Sequence, residues 1–465
     1  MTVPRAPHAP ETPGAARRAS MRSTVEKLAL AALLAVVVLV PLTPVDLSLA
    51  GLRVADGGTL LLPLCALLSY PFLRRLGAIR LPSMAIELPM VVFLLIALVG
   101  IAFAQARPTA ALAWVRYALY LDLALVAAAL TRRESNRRMV MWTFAGTSGL
   151  TALLALLQPI RDSAADRAFA AAGGPAVRVF STFVNPNFYA EYLVLAFAVC
   201  LALAVLERGR PRALAGTLAF MQLTALALTY TRGSWFALLL GAAVAAALSD
   251  PRWLWGVGVA AATSLAVPAL RDRLSGLTNG GGSAGQRVVV WAHAVDLIRA
   301  FPVVGVGLGG YLKALVQLTG KAASDSGGDI LGAHDSYLQL TAETGVLGGL
   351  AFVWTAVAAC AAGVRYALTS GADPDVRHVN AALTAGVIAF AGNALVSNSF
   401  QHPQAAVFFW VVVGIQAGNG ETLRRLAGYR PVTSGPVGRI LFGPGVSGSS
   451  SLDLDLEPWQ TSQGA

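Results

Sequence analysis

Apolar residues run through this chain in blocks, each close to the length a helix needs to cross a bilayer and each closed by a short polar or basic interruption. A transmembrane helix takes about 20 mostly apolar residues. Runs of this kind fall near 27–40, 58–73, 86–104, 110–130, 139–158, 190–206, 213–229, 234–249, 253–269, 343–363, 379–397 and 404–418. The pattern predicts 12 spans. Some runs contain proline (Pro63, Pro71, Pro89), which membrane helices tolerate where neighbours satisfy the freed backbone groups. The first run, Lys27 to Val40, has a basic start and is followed by Ser48-Leu49-Ala50, features shared with cleavable signal peptides. Its long basic region favours an uncleaved anchor.

Sidedness follows from the polar interruptions. If the N-terminus is cytoplasmic, alternation places on the inner side Arg74, Arg75 and Arg80; Arg132, Arg133, Arg137 and Arg138; Arg208, Arg210 and Arg212; Arg252; Arg365 and Arg377; and both tails. The shorter outer loops keep only Arg53, Arg107, Arg161, Arg167, Arg178 and Arg232. This is the positive-inside bias, and one missed span would invert everything downstream.

Composition agrees with lipid as the solvent. The 465 residues are 56% hydrophobic and 13% charged, against about 25% charged in soluble chains, and the mean hydropathy is +0.64. The net charge of +11 does not read as a nucleic-acid surface, because the basic residues sit in short clusters between apolar runs. The expected fold class is an all-α polytopic membrane protein in contact with membrane lipid. Residues 23–430 form one integral domain, and disordered cytoplasmic tails are expected at 1–22 and 431–465.

Two outer segments are long, 159–189 and 270–335, and function is expected there. In the second, Gln286 to Ala300 carries Val288, Trp291, Val295 and Ile298 at helical spacing, with Arg287, Asp296 and Arg299 among the polar positions. It reads as an amphipathic helix on the outer membrane surface. The following Gly305-Val306-Gly307-Leu308-Gly309-Gly310 matches GxGxxG without any βαβ context, so a turn using positive φ is expected, not a dinucleotide site. Asp453-Leu454-Asp455 resembles a metal-binding DxD but lies in the low-complexity tail. Cys65, Cys200 and Cys360 sit in apolar runs and the five histidines are scattered, so neither disulfide framework, metal nor cofactor is expected.

Three polar segments stand at the outer ends of spans: Asn185-Pro186-Asn187, Tyr230-Thr231-Arg232-Gly233-Ser234-Trp235, and His334-Asp335-Ser336-Tyr337-Leu338-Gln339. Arg232 interrupts two nearly uncharged helices, which makes it a functional candidate. Two guanidiniums, Arg232 and Arg287, can grip a diphosphate through charge-assisted hydrogen bonds. A neutral imidazole at His334 can take a proton from an attacking hydroxyl. Asn185, Asn187, Tyr230, Asp335, Tyr337 and Gln339 are the expected substrate-binding residues around them.

These segments resemble the O-antigen ligase and O-antigen polymerase superfamily of bacterial envelope glycan enzymes. The resemblance rests on the NPN segment, on Thr231 to Trp235, on Arg287 with Trp291 to Pro302 and Gly305 to Gly307, and on His334 to Gly349. It covers roughly residues 180–360. It implies a GT-C-like helical fold in the bacterial inner membrane, with the active site on the outer face. It also implies that arginines matching Arg232 and Arg287 hold the diphosphate of an undecaprenyl-linked glycan donor, while a histidine matching His334 activates the acceptor hydroxyl. The implied reaction is metal-independent and inverting. The acceptor is lipid A core for a ligase, another lipid-linked repeat for a polymerase, or a protein for an O-oligosaccharyltransferase. A transporter of lipid-linked glycan without chemistry is the alternative of a different class. Asp335 stands where Asn or Ser is more usual beside the histidine, and either raises the histidine pKa or caps the next helix.

Overall fold

A computed structural model describes residues 13–43, 48–49, 52–53, 85–158, 178–183, 185–264, 283–320, 332–368 and 374–426. The span expected at 58–73, Cys65, residues 159–177, the DxD segment and the tail at 431–465 lie outside the described residues. The helices are α1 (Pro13–Leu42), α2 (Glu87–Phe103), α3 (Arg107–Leu130), α4 (Glu134–Leu157), α5 (Pro186–Leu206), α6 (Gly209–Leu228) and α7 (Arg232–Ser249). They continue as α8 (Trp253–Ser264), α9 (Ser283–Ala300), α10 (Tyr311–Thr319), α11 (Ser336–Ala367), α12 (Pro374–Asn393) and α13 (Pro403–Leu426). The one departure from an all-helical chain among the described residues is a minimal antiparallel ladder, Ser48 opposite Arg53 and Leu49 opposite Leu52. α1 begins upstream of the boundary expected at residue 22.

Each expected apolar run apart from 58–73 coincides with one of these helices. Among the described residues, six are long and apolar enough to cross a membrane, and Glu87–Phe103 is apolar but shorter. Large apolar side chains such as Leu88, Leu95, Phe220, Trp255, Leu347 and Leu350 point outward, as they do where hydrocarbon replaces water. The chain is a multi-pass membrane protein.

At the centre lies α13, with every residue from Ala405 to Val412 fully buried or nearly so. A helix apolar on all sides belongs inside a bundle. It packs against α3, and α12 packs against α5 and α7. Small residues permit the first approach: a Cβ added at Gly414 would stand 2.6 Å from both Ala124 O and Ala127 Cβ, the close backbone contact that membrane helices use in place of hydrophobic collapse.

Polar contacts gather at two opposite ends of the bundle. At one, Arg138 pairs with Glu207, Arg208 with Asp375 at 2.5 Å, and Arg377 Nε donates to Leu248 O at 3.1 Å. The start of α5, the end of α6 and the starts of α7 and α11 meet at the other.

α9, α10 and the turn between them are joined to α11 through the backbone. α11 breaks at Gly345 (φ 76°, ψ 174°). Val346 N donates to Pro302 O at 2.8 Å, Val306 N to Ala342 O at 3.0 Å and Gly307 N to Glu343 O at 2.9 Å. The glycine run is thus a turn between α9 and α10, with Gly305, Gly307 and Gly309 all at positive φ. A side chain on Gly345 would collide with Val303 O. The break also explains why the apolar run was expected to start at 343 whereas α11 starts at Ser336: a short helical piece precedes Gly345 and a span-length one follows it. On α9, the face packed against protein is Val290, Ala294 and Leu297. Val288, expected on the apolar face, is exposed, so α9 has a protein-facing stripe beside an outward one.

Candidate functional site

The three polar segments converge, and a fourth that the sequence reading passed over joins them. Asn185 caps α5, its Oδ1 accepting from Asn187 N at 2.9 Å and Phe188 N at 3.2 Å, with Pro186 in the first turn where no amide is needed. Asn187 Oδ1 accepts from Arg178 Nη2 at 3.0 Å and from Thr231 Oγ1 at 3.2 Å. Arg178 Nε donates to Thr229 O at 2.7 Å. Arg178 therefore clamps the NPN segment to the Thr229–Thr231 turn, and the side-chain oxygens of both asparagines are engaged with the protein itself.

That turn aims Arg232. Tyr230 sits at φ 52°, a region in which non-glycine residues are uncommon, and its ring lies 6.4 Å from that of Trp235. Arg232 starts α7 half-buried. Arg287, on α9, is also half-buried, and its guanidinium is held below the ordinary value first by burial, then by the Arg232 charge, with Glu191 partly offsetting both. Two arginines from different elements are thus close enough to repel one another.

Glu191, one turn into α5, is 1% exposed. Its Oε1 accepts from Ser397 Oγ, and Ser399 faces the same carboxylate. Both serines belong to the loop joining α12 to α13. Ser336 Oγ donates within this loop, to Ser397 O at 3.0 Å and Gln401 Oε1 at 2.9 Å, and Ser336 N donates to Ala394 O at 2.8 Å. The loop's stretch from Ser397 to Phe400 is buried. Buried loops are rare because their backbone groups need partners, and Ser336 supplies several.

His334 stands at φ 51°, half-buried, two residues before this anchored serine. Such strain on a candidate proton acceptor is the kind that accompanies function. Nearby, His402 stacks on Phe188 with ring centroids 3.4 Å apart. Burial, then Arg116 and His334, push its imidazole down to about 3, so it is neutral. Arg116 enters from α3, donating to Gln401 O at 3.3 Å.

Asp335 takes the capping role that was one of its two expected ones. Its Oδ1 accepts from Tyr337 N at 2.8 Å and Leu338 N at 2.9 Å, an N-cap for α11; burial nevertheless raises its pKa to about 6. Tyr337 OH donates to Ala391 O at 2.9 Å. Gln339 accepts from Ala333 N at 3.1 Å and donates to Glu343 Oε1 at 3.1 Å. These two brace the His334 turn from below. Among the described residues no group of three or more His, Cys, Asp or Glu is placed to hold a metal ion.

Residues 217–353 match the O-antigen ligase family model. The stretch runs from α6 into α11 and contains Arg232, Arg287 and His334. The resemblance read from the motifs to the O-antigen ligase and polymerase superfamily is supported over this stretch, which implies an enzyme of the glycan-transferring type. No curated protein matches the chain. The O-antigen ligase match stops before the α12–α13 loop and starts after the NPN segment, so Glu191, Asn393, Ser397, Ser399 and His402 come from tertiary structure alone. One signal was available in the sequence: Glu191 and the run Ser397-Asn398-Ser399 are polar residues within or beside apolar runs, where a polar group is costly and functional by default.

Proposed function

We propose that this protein transfers a glycan from an undecaprenyl-diphosphate carrier to an acceptor hydroxyl at the outer face of the inner membrane, as an O-antigen ligase does. The observation that carries the reading is the approach of Arg287 to Arg232. Two half-buried guanidiniums brought to one site from different helices suit an arriving diphosphate, which each can meet with charge-assisted hydrogen bonds. In this reading the same two guanidiniums stabilise the charge that grows on the diphosphate as the glycosidic bond breaks. They supply the charge for which other transferases use a metal, and transfer is expected to persist in EDTA.

His334 takes the proton of the acceptor hydroxyl as its oxygen attacks the anomeric carbon from the face opposite the diphosphate, inverting the configuration. The basic inner loops put this site outside and both termini in the cytoplasm, within a 12-span, GT-C-like layout. The outward apolar residues of α9, including Val288, suit a helix lying on the membrane surface, which would bring Arg287 to headgroup level.

The test is transfer by the purified protein in lipid nanodiscs, with undecaprenyl-diphosphate-linked glycan as donor and lipid A core, a second lipid-linked repeat or a protein as acceptor. His334→Ala is expected to lower turnover about 10²–10⁴-fold, the span for a lost general base. Normal insertion with full transfer by both His334→Ala and Arg287→Ala would overturn the assignment. In cells, full-length glycan stranded on its lipid in a deletion strain marks a ligase, whereas accumulated single repeats mark a polymerase.

A further inference from the structure

The α12–α13 loop carries buried polar groups that the transfer chemistry leaves unused. Asn393 and Asn398 are each 3% exposed and Ser399 is fully buried. Neither polar atom of the Asn393 side chain has a hydrogen-bond partner among the described residues, and the same is true of Asn398 Oδ1 and, on α7, Ser234 Oγ. Native proteins leave few such atoms unpaired, and each one calls for an explanation. Elsewhere in the bundle Gln222 and Asn380 each have one idle atom but use the other, in bonds to Ser148 and Asn419. Asn393 uses neither.

Their placement is what matters. A Cβ added to Gly233 would stand 2.8 Å from Asn393 Oδ1, so Asn393 lies beside the residue that follows Arg232. Asn398 and Gln339 both crowd Gly332, two residues before His334. Ser399 faces Glu191, the carboxylate that Arg287 feels. The end of α12 and the loop after it thus present idle amide groups beside Arg232 and near His334, and a hydroxyl held against Glu191.

We propose that Asn393, Asn398 and Ser399 form the subsite for the sugar bonded directly to the diphosphate, pairing with its ring hydroxyls. The proposal rests on the reading that Arg232 and Arg287 hold the diphosphate. An amide side chain offers a donor and an acceptor together, and vicinal hydroxyls offer the same in return. These groups carry no charge, so they add nothing for the phosphates and suit a polyol. A sugar attached to a diphosphate gripped at Arg232 has Asn393 as its neighbour, and its anomeric carbon turns toward His334 past Asn398.

The experiment uses full-length protein in nanodiscs and compares binding of bare undecaprenyl diphosphate with the same carrier bearing one sugar, tried as a hexose, a 6-deoxyhexose and an N-acetylhexosamine. Wild type is expected to prefer at least one sugar-bearing carrier by about tenfold or more, the yield of two or three good hydrogen bonds. Asn393→Leu is expected to erase that preference, to bind the bare carrier as wild type does, and to keep or raise the Tm, because an idle buried polar group is replaced by an apolar one of similar shape. A lowered Tm with the preference intact would show that the groups serve the fold through water, and would overturn the proposal. So would equal loss on both carriers, or a wild type that prefers none of the sugars. Arg287→Ala separates the two readings: it should weaken both carriers alike, and unchanged affinity for the bare carrier would remove the diphosphate reading instead.

Discussion

Arginine meets buried glutamate at both ends of this bundle, and the two meetings are built differently. At one end Arg138 grips Glu207 with both prongs, Nε to Oε1 at 3.0 Å and Nη2 to Oε2 at 2.5 Å, and Trp142 Nε1 adds a third donor at 3.1 Å. Both carboxylate oxygens are occupied. At the other end Glu191 meets, among the described residues, only the serine hydroxyls of Ser397 and Ser399, while Arg287 feels the carboxylate without gripping it and feels the like charge of Arg232 as well. The first is a finished pair that fastens α4 to the end of α5. The second gathers two guanidiniums at one site without a fork-to-fork grip on the glutamate, which suits an anion from outside.

The difference can be broken by substitution. Arg287→Ala should reduce glycan transfer about 10²–10³-fold, as loss of one charge-stabilising donor does elsewhere, without lowering the Tm, since it relieves repulsion with Arg232. Arg287→Lys should recover only part, because an ammonium cannot reproduce the bidentate fork. Arg138→Ala should do the reverse. It leaves the buried Glu207 with Trp142 alone and should cost about 1–3 kcal/mol of stability, read as a lowered Tm in detergent, while transfer per folded molecule stays within about twofold. A stable Arg138→Ala protein with poor turnover would erase the contrast.

Asp335 sharpens the contrast as a third buried carboxylate, satisfied by backbone amides rather than by arginine. Asp335→Ala should cost about 1 kcal/mol through loss of the cap, whereas Asp335→Asn keeps the cap and should be near neutral. The smallest effect is in pH. Burial raises the Asp335 pKa from 3.8 to about 6, so the folded state holds this proton more tightly than the unfolded chain. The group's contribution to stability is therefore fully present below about pH 4 and declines as pH rises to 6. Stability measured across that window should fall less steeply in Asp335→Asn than in wild type; identical slopes would show that this carboxyl does not titrate there.

The site was legible in part because membranes make polar residues conspicuous. Arg232 between two apolar runs, Arg287 on an amphipathic stretch and His334 at a helix start each stood out against their neighbours. What they did with their surroundings did not. Asn185 and Asn187 looked like substrate contacts, yet one caps α5 and the other holds the Arg178 clamp. Tyr337 and Gln339 looked equally free and are committed to Ala391 and Glu343. A polar side chain near an interface reads the same in sequence whether its partner is substrate or protein.

Hydropathy, by itself, determined that the chain is a helical multi-pass membrane protein and where its described helices lie. Hydrocarbon forces every span to satisfy its own backbone, so span-scale structure is written locally. Only the tertiary structure decided that the α12–α13 loop, some 200 residues from the NPN segment, would close around Glu191 and stand beside Arg232 and His334. Such contacts depend on which helix ends meet, and that is set by packing between spans, such as Gly414 against α3, which no single stretch of sequence encodes.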